Sequence, residues 1–256
     1  LLQSQAVTSS GQVEQNVDHY ESATCGFAKT NELKTSLFGS WHFDEKSGTE
    51  AVDFSGNGYD ADVAGATWTY GKLGSGLEFD GENDFVRMDF PIVSLQEMTG
   101  CAWIKVNAVE DFGSPVKDGI IVGDGHHFQM WVLTDGKFEF GAWMHHPSGP
   151  HINRLFESVD SFAFGLWTHL CVVNKADPDG SGPSVGTSKL YVNGNLRGEG
   201  SFANEEFFGD LSFIEIGRTP NLGPNYFDGV IDEVRFYNKA LSRGEVLTDA
   251  NCGILL

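Results

Sequence analysis

The stretch Phe227-Asp-Gly-Val-Ile-Asp-Glu-Val-Arg-Phe-Tyr-Asn-Lys-Ala-Leu-Ser242 decides the fold. Asp228-Gly229 is a turn signal, because glycine accepts the backbone angles a tight turn demands. Residues 229–237 then predict a strand rich in β-branched and aromatic side chains. The one persuasive helix of the chain follows at 242–249 and is only a turn or two long. Working outward, the same pattern of short apolar runs and Gly/Asp/Asn turns recurs. Strands are predicted at 37–43, 76–79, 85–88, 99–106, 128–133, 138–144, 167–173, 189–192 and 213–216. Ser55-Gly-Asn-Gly58, Asp80-Gly81, Asp135-Gly136 and Asn193-Gly194 separate them. About ten short strands, with no long Ala/Leu/Glu/Lys stretch, imply an all-β fold of two antiparallel sheets in a sandwich or jelly roll.

The chain has 256 residues, with 36 acidic against 16 basic side chains and a formal net charge of -20. Nucleic acid and anionic membrane surfaces are thereby disfavoured as partners, since binding there depends on Lys and Arg neutralising phosphates. No apolar run approaches the roughly 20 residues that span a bilayer. Residues 1–36 are polar and read as a leader or strap, and residues 1–24 lack the basic and apolar regions expected of a signal peptide. The patterned domain is 37–256, long enough to bury one substantial core.

Four cysteines occur, at 25, 101, 171 and 252, with no CxxC pair to suggest a zinc ribbon or redox motif. Cys25 and Cys252 flank the patterned region, so a bridge between them would tie its ends together. Cys101 and Cys171 each sit inside a predicted strand, where they either pair across neighbouring strands or act as small buried hydrophobes. The even count favours an oxidising compartment and a secreted protein.

Five of the eight histidines fall between 126 and 151. Read with Asp135-Gly136 as a two-residue type I′ loop, the hairpin there sets Thr134 opposite Lys137. That register puts Trp131, Leu133, Phe138, Phe140, Ala142 and Met144 on a core face. Phe128, Met130, Val132, Glu139, Gly141 and Trp143 share the other, with His126 opposite His145 at about 5 Å between Cβ atoms. His126, Phe128, Glu139, Trp143, His145 and Arg154 form the candidate ligand site, with Phe128 and Trp143 as a platform for a sugar's C–H face. The same histidines also suit a transition metal, or a catalytic centre of His126, Glu139, His145 and Arg154. Trp41, Trp103 and Trp167 lie in patterned strands and are expected in the core.

Six segments together carry a family resemblance. Gly39-Ser-Trp-His-Phe-Asp-Glu45 with Asp53-Phe-Ser-Gly-Asn-Gly58, then Gly71-Lys-Leu-Gly-Ser-Gly-Leu-Glu-Phe-Asp-Gly-Glu-Asn-Asp-Phe-Val86, resemble the opening of a LamG-like (laminin G/concanavalin A-like) jelly roll. Cys101-Ala-Trp-Ile-Lys105, Trp167-Thr-His-Leu-Cys171 and Leu190-Tyr-Val-Asn-Gly194 match its middle strands, and 227–242 its closing one. The resemblance spans roughly 37–248 in the family's order. It implies a structural calcium and an extracellular glycan- or protein-binding role. Asp53, Asn57, Asp80, Asp84 and Asp232 are the expected calcium ligands, because turns of this kind supply the hard oxygens the ion takes. The competing reading of those turns is Asx hydrogen bonding alone.

Related jelly rolls include glycosidases and polysaccharide lyases. Neither the alternating Glu-x-Asp-x-x-Glu string of the former nor the full motif set of the latter occurs; His127-Phe128-Gln129 resembles one lyase string in reverse. The expectation is a secreted, calcium-stabilised, lectin-like module. Its partner would be a glycan, more readily neutral than strongly anionic unless calcium or Arg154 and Arg218 bridge the charge. A polysaccharide-degrading enzyme and a module that binds an extracellular protein are the alternatives.

Overall fold

A computed structural model describes residues 33–93, 97–107, 119–123, 128–133, 135–144, 152–177, 185–203, 211–218 and 226–252. In chain order the strands are β1 (Leu37–Trp41), β2 (Glu50–Ala51), β3 (Ala61–Ala64), β4 (Thr67–Tyr70), β5 (Ser75–Asp80), β6 (Phe85–Val93), β7 (Glu97–Val106) and β8 (Gly119–Gly123). There follow β9 (Gln129–Val132), β10 (Phe138–Met144), β11 (Ile152–Glu157), β12 (Thr168–Asp177), β13 (Val185–Val192), β14 (Asn195–Ala203), β15 (Leu211–Ile216) and β16 (Asp228–Tyr237). A helix, α1 (Arg243–Cys252), closes the described chain. No helix among the described residues is long and apolar enough to cross a membrane.

The strands form two antiparallel eight-stranded sheets. The first runs β14-β13-β12-β7-β16-β5-β4, with β1 also on β16; the second runs β11-β10-β9-β8-β15-β6-β3-β2. Their facing sides bury Trp41, Leu77, Phe79, Met88, Ile104, Phe128, Phe140, Leu170, Ile214 and Phe236 in one core. Gly100 is what lets two of these rings meet. A Cβ there would stand 2.6 Å from Phe128 and 2.7 Å from Phe236, whose rings pack edge to face at 5.5 Å.

A second apolar cluster lies on the outer side of the first sheet, where Leu33, Cys101, Cys171, Tyr191, Tyr237 and Val246 pack together. This cover explains why β16 is buried along nearly its whole length rather than at alternate positions. It also moves a boundary: Leu33 is 1% exposed, so packing begins inside the expected 1–36 leader. Cys101 and Cys171 are direct register partners and form a disulfide. The expected Cys25–Cys252 bridge lies outside the described residues, as do His126 and His145.

The hairpin register differs by one residue from the sequence expectation. Leu133, not Thr134, opposes Lys137: its N–H donates to the Lys137 carbonyl at 2.8 Å, and Val132 pairs with Phe138. The connection is a three-residue loop, with Gly136 at φ 82° where a side chain would be strained. The single-residue shift flips β9 about its axis. Phe128, Met130 and Val132 therefore join Phe138 and Phe140 in the core, and Gln129 and Trp131 join Glu139 on the outer face.

Candidate functional site

Phe128 is corrected first: its ring is fully buried against Gly100 and Phe236, so it offers nothing to a ligand. Glu139 keeps its place on the outer face of the second sheet, opposite Trp131 on one side and Glu157 on the other. Trp143 shares that strand, two positions beyond Gly141, whereas Arg154 pairs with Ala142 and stands off the Glu139 row. The six expected ligand residues are thus not gathered in one described site.

The register places Arg87, Glu215, Gly123, Gln129 and Gly141 in one row across this outer face. Glu215 is fully buried, yet two guanidinium groups reach it, Arg87 at 3.1 Å and Arg218 at 2.7 Å. Arg87 lies 4.1 Å over Phe213 and Arg218 3.3 Å over Phe85. Hydrogen bonds that Arg87 donates to Asp89 and Glu215 raise its pKa, and those that Arg218 donates to Glu215 raise that of Arg218, so both stay charged and committed. Arg218 is consequently spent on Glu215 rather than poised to bridge an anionic glycan. Next to this ladder, the Trp131 indole N–H donates to Gln129 Oε1 at 3.1 Å. Gln129 Nε2 is buried without a partner.

The expected calcium ligands each make local hydrogen bonds. Asp53 Oδ1 accepts the N–H groups of Ser40 and Ser55, and its Oδ2 accepts the Ser55 hydroxyl and the Tyr59 N–H. A carboxylate surrounded by donors is organising a turn. Asn57 donates to the carbonyl of Phe38. Asp80 Oδ1 accepts from Glu82, and Asp84 Oδ2 accepts the Asp80 N–H at 3.0 Å. Burial raises the Asp84 pKa. Asp232 stands apart from these. It occupies a bulge of β16, beside Glu233 at φ 54°, and its Oδ2 accepts the Leu73 N–H. Its Oδ1 is buried with no partner, and burial pushes its pKa up to about 7. Among the described residues, the one cluster of three or more His, Cys, Asp and Glu side chains with metal-ligand proximity is Cys101, His169, Cys171 and Asp249.

That cluster belongs to a buried polar network under α1. Asp249 Oδ2 meets His169 Nε2 at 2.9 Å, while Oδ1 receives the Tyr237 hydroxyl and faces Arg235 at 3.5 Å. Arg235 also pairs with Glu233, which His42 reaches at 2.9 Å. Burial pushes Asp249 up, but Arg235 and the His169 and Tyr237 hydrogen bonds outweigh it and hold the carboxyl below its usual range.

The feature that sequence reasoning missed is a cavity of about 300 Å³ at one end of the sandwich. Phe138 and Phe162 stack in its wall at 4.4 Å and 20°, and Trp167 lines it with them. Asp160, Asn193, Asn195 and Arg197 supply its polar rim, with Arg197 and Asp160 ion-paired at 3.2 Å. Trp167 is partly exposed here rather than in the core, and Trp103 is likewise half-buried beneath Lys72; only Trp41 of the three is a core residue. The loop that carries the aromatics is pinned to both sheets. Phe162 N–H bonds to Gly136 at 2.7 Å, Gly165 N–H to Val106 at 2.8 Å, and Val159 N–H to Arg197 at 2.8 Å. On the other wall, Asn193-Gly194 forms the expected tight turn, and Asn193 Oδ1 accepts the His169 N–H at 2.9 Å. A local signal existed in Phe162-Ala-Phe164 and Trp167, four residues of a short loop that carries three aromatic rings.

Comparison with known proteins agrees with this architecture. No curated protein matches the chain in sequence. Among solved structures, the botulinum neurotoxin serotype D binding domain superposes with a TM-score of 0.62 at 16% identity, over 88% of this chain and 54% of that one. The same serotype's ligand-binding domain in complex with N-acetylneuraminic acid gives 0.60 at 17% identity, over 89% and 53%. Domain 4 of AbnA, a GH43 extracellular arabinanase from Geobacillus stearothermophilus, in complex with arabinotriose, gives 0.57 at 20% identity, over 84% and 98%. The chain therefore spans about half of the neurotoxin binding domains and nearly all of the arabinanase domain, and at these identities the likeness is one of fold. The family model of the concanavalin A-like lectin/glucanases superfamily matches residues 80–247, from β5 through the closing strand into α1. With two antiparallel sheets and that match over most of its length, the chain belongs to the concanavalin A-like lectin/glucanases superfamily.

Proposed function

We propose that this domain is a carbohydrate-binding module and that its glycan seats in the cavity between the 158–168 loop and the β13–β14 turn. The observation that carries the reading is the combination found there: an aromatic wall of Phe162 and Trp167 beside a rim of Asp160, Asn193, Asn195 and Arg197. Sugars present both an apolar C–H face and a dense set of hydroxyls, so a ring with convergent amide, carboxylate and guanidinium groups suits them. A pinned loop loses little entropy on binding. Two of the structural neighbours were solved with arabinotriose and N-acetylneuraminic acid, which is in keeping with a glycan ligand.

A neutral glycan is favoured over a strongly anionic one. The net charge is -20, and the arginines at 87, 197 and 218 are each already matched by a carboxylate. Secretion and a structural calcium complete the proposal. For calcium, Asp232 is the best supported of the expected ligands, through its unpartnered buried oxygen. The test is glycan-array and calorimetric binding with the wild type and Trp167→Ala. Loss of about 2 kcal/mol, some thirtyfold in affinity, is expected from removal of a central aromatic. Unchanged binding in Trp167→Ala would relocate the site.

A further inference from the structure

The donor set beneath α1 is more than a packing detail. His169 and Cys171 lie two residues apart on β12 and so share its outer face, and Cys101 faces Cys171 across the register. Asp249 descends from α1 onto the same point. All four donor atoms lie within 4.8 Å of one another; Asp249 Oδ2 is 2.9 Å and Cys171 Sγ 3.9 Å from His169 Nε2. A tetrahedral Zn²⁺ with Zn–S near 2.3 Å and Zn–N near 2.0 Å sets its donors about 3.2–3.8 Å apart. Small shifts reach that arrangement once the sulfur–sulfur bond is gone. We propose that reduction of the Cys101–Cys171 disulfide converts this cluster into a Cys₂HisAsp zinc site.

The chemistry balances. A trialkylphosphine gives two electrons to the disulfide and takes an oxygen from water to become the phosphine oxide. The two protons of that water go to the freed sulfurs. A cellular dithiol supplies the same electrons and protons by exchange and leaves as its own disulfide. Zn²⁺ then displaces one proton from each thiol, and neutral His169 binds through Nε2 with its ring proton on Nδ1. Charge stays matched in the buried site: two thiolates offset Zn²⁺, and Asp249 keeps Arg235 as its partner. Tyr237 and Arg235 hold the outer carboxylate oxygen, as supporting groups around zinc ligands do. Disulfide and zinc are mutually exclusive, so the redox state of the surroundings selects whether β7 and β12 are joined directly or, together with α1, through the metal.

The test uses the full chain with Cys25→Ser and Cys252→Ser, reduced with phosphine and titrated with Co²⁺ as a spectroscopic substitute for zinc. The expected result is one Co²⁺ per chain with thiolate charge-transfer absorption and intense visible bands of four-coordinate cobalt, discharged by Zn²⁺. The unreduced protein and a further Cys101→Ala/Cys171→Ala variant should stay colourless, and His169→Ala should bind more than about tenfold more weakly. Absence of the thiolate band, the pale spectrum of six-coordinate cobalt, or colour surviving in the alanine variant would overturn the proposal. So would loss of the β-sheet circular dichroism on reduction, since the site needs the folded sheet.

Discussion

Asp249 Oδ2 lies 2.9 Å from His169 Nε2, and this contact fixes the C-terminal helix to the middle of the first sheet. Both groups are wholly buried. The same carboxylate answers Arg235 and Tyr237, so one side chain satisfies three others from β12 and β16. Removing it takes a partner from His169 and Tyr237 and leaves Arg235, whose charge Asp249 and Glu233 together maintain against burial, with Glu233 alone of the two carboxylates. Asp249→Ala should therefore cost about 3–5 kcal/mol of unfolding free energy, measured in urea. Glu199→Ala, on an exposed ion pair of β14, should cost under about 1 kcal/mol in the same assay.

Beside that contact, the Cys101–Cys171 bridge closes a loop of 70 residues. Chain-entropy arithmetic for such a loop gives about 4 kcal/mol of stabilisation through the unfolded state. The Cys101→Ala/Cys171→Ala variant should lose roughly that amount in denaturant titration while keeping its sheet signal. A loss under about 1 kcal/mol would mean that the bridge constrains little.

Asp232 makes stability depend on pH with a definite sign. Its folded pKa of about 7 lies above the unfolded value of 3.8, so the folded state holds a proton that the unfolded chain has released between those pH values. Stability is then greatest below about pH 4 for this group and falls as pH rises to about 7, by on the order of 4 kcal/mol in total. Asp232→Asn should flatten that part of the profile. Calcium bound at Asp232 would reverse the trend, raising the melting temperature at pH 8 but not at pH 5, and EDTA would undo it.

The two sheets were legible in the sequence because the ten predicted strands are those whose side chains alternate cleanly or run apolar. β14 escaped because it reads Asn-Leu-Arg-Gly-Glu-Gly-Ser-Phe-Ala, with glycines where the Phe140 and Phe156 rings press against the backbone. β2, β3 and β4 are only two to four residues long. The hairpin shows how little separates a correct face from its opposite: one extra loop residue before Lys137 moved Phe128 into the core and Trp131 out of it. The cavity was hidden for another reason. Its wall at 160–168 and its rim at 193–197 are brought together only by the pairing of β12 with β13, and Trp167 stands at a strand start where it reads as core. Asp53 and Asp80 show the competing use of such residues, since both Asp53 oxygens and Asp80 Oδ1 accept backbone N–H groups of their own turns.

The most direct test of the carbohydrate-binding reading is isothermal titration of the wild type and Trp167→Ala with the glycan that scores highest on a broad array. The expected outcome is saturable one-to-one binding to a neutral oligosaccharide, weakened about thirtyfold in Trp167→Ala, with Glu199→Ala unaffected. No binding to any arrayed glycan, or equal affinity in the wild type and Trp167→Ala, would contradict it.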